Sequence, residues 1–249
     1  MHPALCGALE RGEVRRGDAF AVAPAPTLAS GFPVLDAELP GGGWPRRVLT
    51  ELLLAHPGVG EMRLLAPALA AVAGCQRSVM LFDPPAALCA AALAQLGVDP
   101  LQMIVVHGRE GAKGANLRHL LASADLLWAL EQALKSGHVG AVLAWLPDGL
   151  RADALRRLQL AAQAHDGPVF LLRGIEMRRK PSAAPLRLAL HAAAPDELSL
   201  HLLKRRGPPL AQPLKLTLAR VLPPSLRARA AQRLVAPVPV AVETPLQDA

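Results

Sequence analysis

Five short apolar runs, set apart by stretches long enough to hold a helix, constrain this chain more than any other feature. The runs are Val48 to Leu54, Val79 to Phe82, Met103 to Val106, Ala141 to Leu146 and Val169 to Leu172. Each has strand length and strand composition. Between them the apolar spacing turns helical. Arg63 to Ala73 reads as a helix with a kink at Pro67, and Ala86 to Leu96 as a helix stopped by Gly97. Asn116 caps a third, with Leu117, Leu120, Leu121, Ala124, Leu127, Trp128 and Leu134 as its apolar positions. A fourth covers Arg151 to His165, with Leu155, Leu158 and Ala162 on one face and Arg156, Arg157 and Gln163 turned away. Strands alternating with helices predict an α/β fold: right-handed crossovers, a mostly parallel sheet and helices on both of its faces. Two later runs, Leu186 to Leu190 and Leu198 to Leu203, joined through Pro195-Asp196, predict an antiparallel hairpin at the sheet edge.

The core must be built from small aliphatic residues. Hydrophobic residues are 52% of the 249, yet aromatics are 3% and tyrosine is absent. The organisation expected is an N-terminal arm over 1–28, one core domain over 29–222, and a tail over 223–249 that is basic at first and then disordered. The arm holds a short helix over Pro3 to Arg11, a turn at Arg15-Arg16-Gly17-Asp18 and a linker at Pro24-Ala25-Pro26. Cys6, Cys75 and Cys89 form no CxxC pair, and His56, His107, His119 and His138 have no metal-ligand spacing. Cys75 and Cys89 read as buried small hydrophobes. The longest apolar run, Leu64 to Cys75, is too short to cross a bilayer, and the expected location is cytoplasmic. The formal charge of +7 suits an anionic partner and equally a solvated arginine-rich surface.

The loop after the first strand decides what chemistry is open to the chain. A working phosphate-binding loop reads GxxxxGK[ST] between a strand and a helix, with backbone N–H groups and lysine holding phosphates and the hydroxyl holding magnesium. Here the loop reads Ala55-His56-Pro57-Gly58-Val59-Gly60-Glu61-Met62. Gly60 is in place, but Glu61 stands where lysine is needed and Met62 where the hydroxyl is needed. A carboxylate repels phosphate, a thioether does not ligate a hard cation, and Pro57 removes one N–H. The plainer reading is a tight Gly58-Val59-Gly60 turn starting a helix, with Glu61 favourable in its first turn.

Four segments resemble, in order, the RecA core. They are Ser30-Gly31-Phe32-Pro33-Val34-Leu35-Asp36 with Gly41 to Pro45; Val79 to Asp99, ending Leu96-Gly97-Val98-Asp99; Ala141 to His165; and Leu200 to Pro213. The composite of Arg16-Gly17-Asp18, Ser30-Gly31-Phe32, Leu35 to Pro45 and Leu203 to Pro209 is similar to the ImuA family within that superfamily. The resemblance implies a RecA-like domain whose water-orienting glutamate is replaced by Pro85 and whose Walker B aspartate is replaced by Trp145, with Asp148 beyond Pro147 and off the strand end. Asp36 and Asp83 are then turn or cap residues. With these positions lost, no ATP hydrolysis and no bound cofactor or metal are expected.

The function implied is a non-catalytic adaptor of SOS-induced mutagenic translesion DNA synthesis. It would dock an ImuB-like Y-family polymerase homologue and an error-prone polymerase III alpha-type subunit, with RecA a further candidate partner. A SulA-like inhibitor of cell division and a RecA-like ATPase on single-stranded DNA are the competing readings. Arg178, Arg179 and Lys180, between Gly174 and Pro185, are the candidates for weak DNA contact, although neither this loop nor the short connection between Leu146 and Arg151 carries an aromatic for base stacking. Lys204, Arg205 and Arg206 are candidates for an interface with DNA or an acidic surface, or form a solvated turn. Leu226, Arg227, Arg229, Arg233 and Leu234 form a short basic amphipathic stretch that is the candidate docking segment, or else a frayed tail.

Overall fold

The apolar runs pair into a sheet because each has a β-rich core and no place at the surface to put it. A computed structural model describes residues 26–107, 124–208, 210 and 212–221. In chain order the elements are β1 (Thr27–Leu28), α1 (Pro33–Asp36), β2 (Trp44–Pro45), β3 (Leu49–Leu54), α2 (Glu61–Gly74), β4 (Ser78–Phe82), α3 (Ala90–Gln95), β5 (Met103–Val106), α4 (Ala124–Lys135), β6 (Val139–Trp145), α5 (Ala152–Gln163), β7 (Val169–Gly174), β8 (Leu186–Ala194), β9 (Glu197–Lys204) and β10 (Leu214–Thr217). Eight strands form one sheet in the order β10-β9-β8-β3-β7-β6-β4-β5. The six from β8 to β5 are parallel, and β9 and β10 add antiparallel pairings. β1 and β2 pair separately, Thr27 with Pro45 and Leu28 with Trp44, so the last two residues of the expected arm belong to structure.

Both faces of the parallel part are covered. On the first, α1, α2 and α3 pack over Leu52, Leu81, Leu143, Phe170, Leu188 and Leu200. On the second, α4 and α5 pack over Leu49, Phe82, Val142, Val169 and Leu171. All six residues of β3 are buried, as a central parallel strand requires. Trp44 meets Phe170 edge to face, with ring centroids 5.2 Å apart.

Several expectations are corrected. The helix expected from Ala86 begins only at Ala90, with Cys89 extended before it. Ala86 to Cys89 offer no side-chain acceptor for the first N–H groups, and Asp83 sits earlier in the turn with a left-handed backbone, φ 52°. The β8–β9 hairpin is not the edge, because Leu214 and Leu216 bring β10 alongside β9. Trp128 is 61% exposed. It lies two residues from both Leu126 and Leu130, on the far side of the buried stripe of α4. Cys75 and Cys89 are exposed, since each sits at a helix end beyond the packed face. Pro67 lies inside α2, where its ring packs against Gly31. The 3–11 helix, the Arg15 to Asp18 turn, Cys6 and residues 108–123 with Asn116 and His119 lie outside the described residues, as does the tail from 222. No helix among the described residues is long and apolar enough to cross a membrane.

Candidate functional site

The loop between β3 and α2 sits at the C-terminal end of a central parallel strand, where a phosphate-binding loop would have to be. Two of its N–H groups are already taken by Glu61. The carboxylate folds back so that Oε1 accepts from the Gly58 N–H at 2.8 Å and Oε2 from the Gly60 N–H at 3.0 Å. Glu61 is 3% exposed. The first turn of α2 thus supplies its own anion, which satisfies two donors and the helix dipole together. Gly58 and Gly60 have φ of 82° and 122°, conformations that only glycine adopts without strain.

The loop is also closed from outside. A Cβ on Gly60 would lie 2.8 Å from Leu218 Cδ1, with Leu198 next to it. Arg63, one helical step further on, reaches the β8–β9 turn. It donates to Asp196 Oδ1 at 3.2 Å and to the Pro195 carbonyl at 2.8 Å. Met62 and Trp145 both pack against the first-face core, Trp145 from the end of β6. Asp148 accepts from the Gly174 N–H at 3.1 Å and its carbonyl accepts from Arg173 at 3.0 Å, so it ties the ends of β6 and β7 together. Asp36 accepts from the Ser30 N–H at 2.9 Å, the turn role expected of it. Among the described residues no group of three His, Cys, Asp or Glu could hold a metal.

A buried charge cluster escaped the sequence reading. Glu51, at the centre of β3, is fully buried on the second face. Arg173 of β7 donates to its Oε1 at 2.9 Å and Arg187 of β8 to its Oε2. The two arginines reach onward. Arg187 donates to the Met177 carbonyl at 2.7 Å and the Lys180 carbonyl at 3.1 Å. Arg173 reaches the Asp148 carbonyl. One carboxylate therefore anchors both loops at this end of the sheet. A signal existed: Glu51, Arg173 and Arg187 are charges inside three mostly apolar strands, and a charge there requires a partner.

The candidate cations do not form one patch of equal standing. Arg178, Arg179 and Lys180 are exposed, on or just after a 3-10 turn over Ile175–Arg179 that Arg187 pins down. Arg205 is engaged within the chain, with Nη1 at 2.6 Å from Glu38 Oε2, and Lys204 donates to the Ser182 carbonyl at 3.1 Å. Arg206 is exposed. Leu226, Arg227, Arg229, Arg233 and Leu234 lie outside the described residues. The chain matches no protein-family model and no curated relative.

Proposed function

We propose that this chain is a RecA-like adaptor without ATPase activity, which docks an ImuB-like polymerase homologue in a mutagenic translesion assembly. The observation that carries the loss of ATPase activity is the Glu61 carboxylate on the Gly58 and Gly60 N–H groups. ATP would have to expel a buried anion that is covalently part of the site. Leu218 and the Arg63–Asp196 pair further hinder its approach. The strand–loop–helix setting of this loop in a mostly parallel sheet supports the RecA-like reading. The ImuA-like composite supports the assignment to lesion bypass. The exposed Arg178-Arg179-Lys180 turn supports weak contact with DNA phosphates.

The docking element proposed is the basic stretch from Leu226 to Leu234, which lies outside the described residues. The test is co-purification of the full chain, and of a truncation ending at Leu222, with an ImuB-like protein and separately with a tubulin-like division protein. The full chain retains the ImuB-like protein and the truncation, still folded by circular dichroism, loses it. Retention of the tubulin-like protein instead would favour a SulA-like inhibitor. Undiminished binding by the truncation would move docking to the core.

A further inference from the structure

Beyond Arg187 and Ala189, which pack beside the Ile175–Arg179 turn, the second face of β8, β9 and β10 is mostly polar. By strand alternation its side chains are His191 and Ala193 of β8, Glu197, Ser199, His201 and Leu203 of β9, and Lys215 and Thr217 of β10. Ser199 pairs with His191 on one side and Lys215 on the other, so these three form a row across the strands. His201 stands diagonal to His191, with ring centroids 5.4 Å apart and the planes at 77°. Arg178, on the turn held by Arg187, lies close enough to His191 to act on its charge. Ala193, His201, Leu203, Lys215 and Thr217 are exposed.

We propose that this sheet face, exposed among the described residues, binds a single nucleic-acid strand, with Arg178, Lys215 and protonated imidazole on the phosphates and the His191 and His201 rings against the bases. The proposal rests on the phosphate-contact reading of the Arg178 turn and extends it onto the sheet. The chemistry has two parts. Exposed cations on one face attract a phosphate backbone whatever its sequence. Open imidazole rings offer π-faces to unstacked bases, the platform that the loops themselves lack. Among the described residues no carboxylate pairs with Arg178, Lys180 or Lys215. The charged groups around His191 are Arg187 on its own strand, Glu197 and His201 on β9, Lys215 on β10, and Glu176 and Arg178 on the turn. Burial, then His201, then Arg178, hold the His191 imidazole below its ordinary range. It is therefore neutral near pH 7 in the free protein, and a bound phosphate favours its proton.

The test is fluorescence anisotropy of a labelled oligothymidylate with the full chain, from pH 8 to pH 5.5. Binding tightens as pH falls, by up to roughly tenfold per pH unit for each proton taken up. The H191Q/H201Q double variant binds more weakly with a flat profile, and K215A loses affinity at every pH. Thermal midpoints confirm that each variant is folded. Wild-type affinity and pH profile in the double histidine variant would overturn the inference while leaving the Arg178 reading intact. No binding by the wild type at any pH and low salt would overturn both. Polyglutamate binding as tightly as the oligonucleotide would assign the face to an acidic protein and overturn the nucleic-acid assignment.

Discussion

Replacing Glu51 by glutamine removes the one negative charge between two buried guanidinium groups and keeps the shape. In the wild type, Arg173 and Arg187 side chains are 4% and 8% exposed and Glu51 is 0% exposed. Breaking a buried pair by deleting one partner costs about 3–5 kcal/mol, because the remaining charge stays desolvated and uncompensated. Glutamine keeps one acceptor, and both arginines keep their carbonyl partners, so the expected loss is at the lower end, about 3 kcal/mol. A domain with a total stability of roughly 5–15 kcal/mol survives this at 25 °C. With a urea slope of roughly 2–3 kcal/mol/M, the midpoint falls by about 1 M. The control is Asp166→Asn, which breaks the surface pair with Arg47, whose side chains are 59% and 55% exposed. Its cost should be below about 1 kcal/mol. Replacing Glu51, Arg173 and Arg187 together by apolar residues should not restore stability, because the Met177, Lys180 and Asp148 carbonyls lose their donors. If E51Q shifts the urea midpoint no further than the Asp166 control, the cluster is not what fastens the two loops.

Three further outcomes follow from the geometry. His165 is fully buried, and burial first, then Arg77, lower its pKa from 6.5 to about 4. Its neutral form therefore contributes stability that is complete above pH 6.5 and is lost as pH falls from there towards 4, up to about 3 kcal/mol. Urea unfolding at pH 7.5 and 4.5 should show that loss in the wild type and less of it in His165→Leu, and an equal loss in both would refute the assignment. Gly60→Ala places a Cβ against Leu218 at a φ of 122° and should lower stability by about 1–3 kcal/mol, which thermal unfolding reads. Cys75 and Cys89 should both react with a thiol reagent in the native Cys6→Ser variant, and a slow reaction limited by unfolding would contradict their exposure.

The sequence exposed the layout because parallel central strands bury both faces and so read as mostly apolar runs. The Leu49–Leu54 and Val169–Gly174 strands were legible for that reason. The position of the Glu61 loop was legible too, since strand, glycine turn and helix are local. What Glu61 does was not. Its first-turn place suited the helix dipole, but the sequence does not say that the side chain folds back onto two N–H groups. Glu51 was hidden differently. Its partners lie 122 and 136 residues away, and only the crossover order makes β7 and β8 its neighbours. The histidine pair depends on the β8–β9 register in the same way, with a bulge on either side of it that spacing alone does not reveal.

The central claim is that the loop between β3 and α2 is filled by its own carboxylate and so holds no nucleotide phosphate, and calorimetric titration with ATP and magnesium tests it most directly. The account predicts no measurable heat of binding and no release of phosphate in the wild type. Micromolar affinity that disappears when Gly60 is changed, or steady turnover, would contradict it.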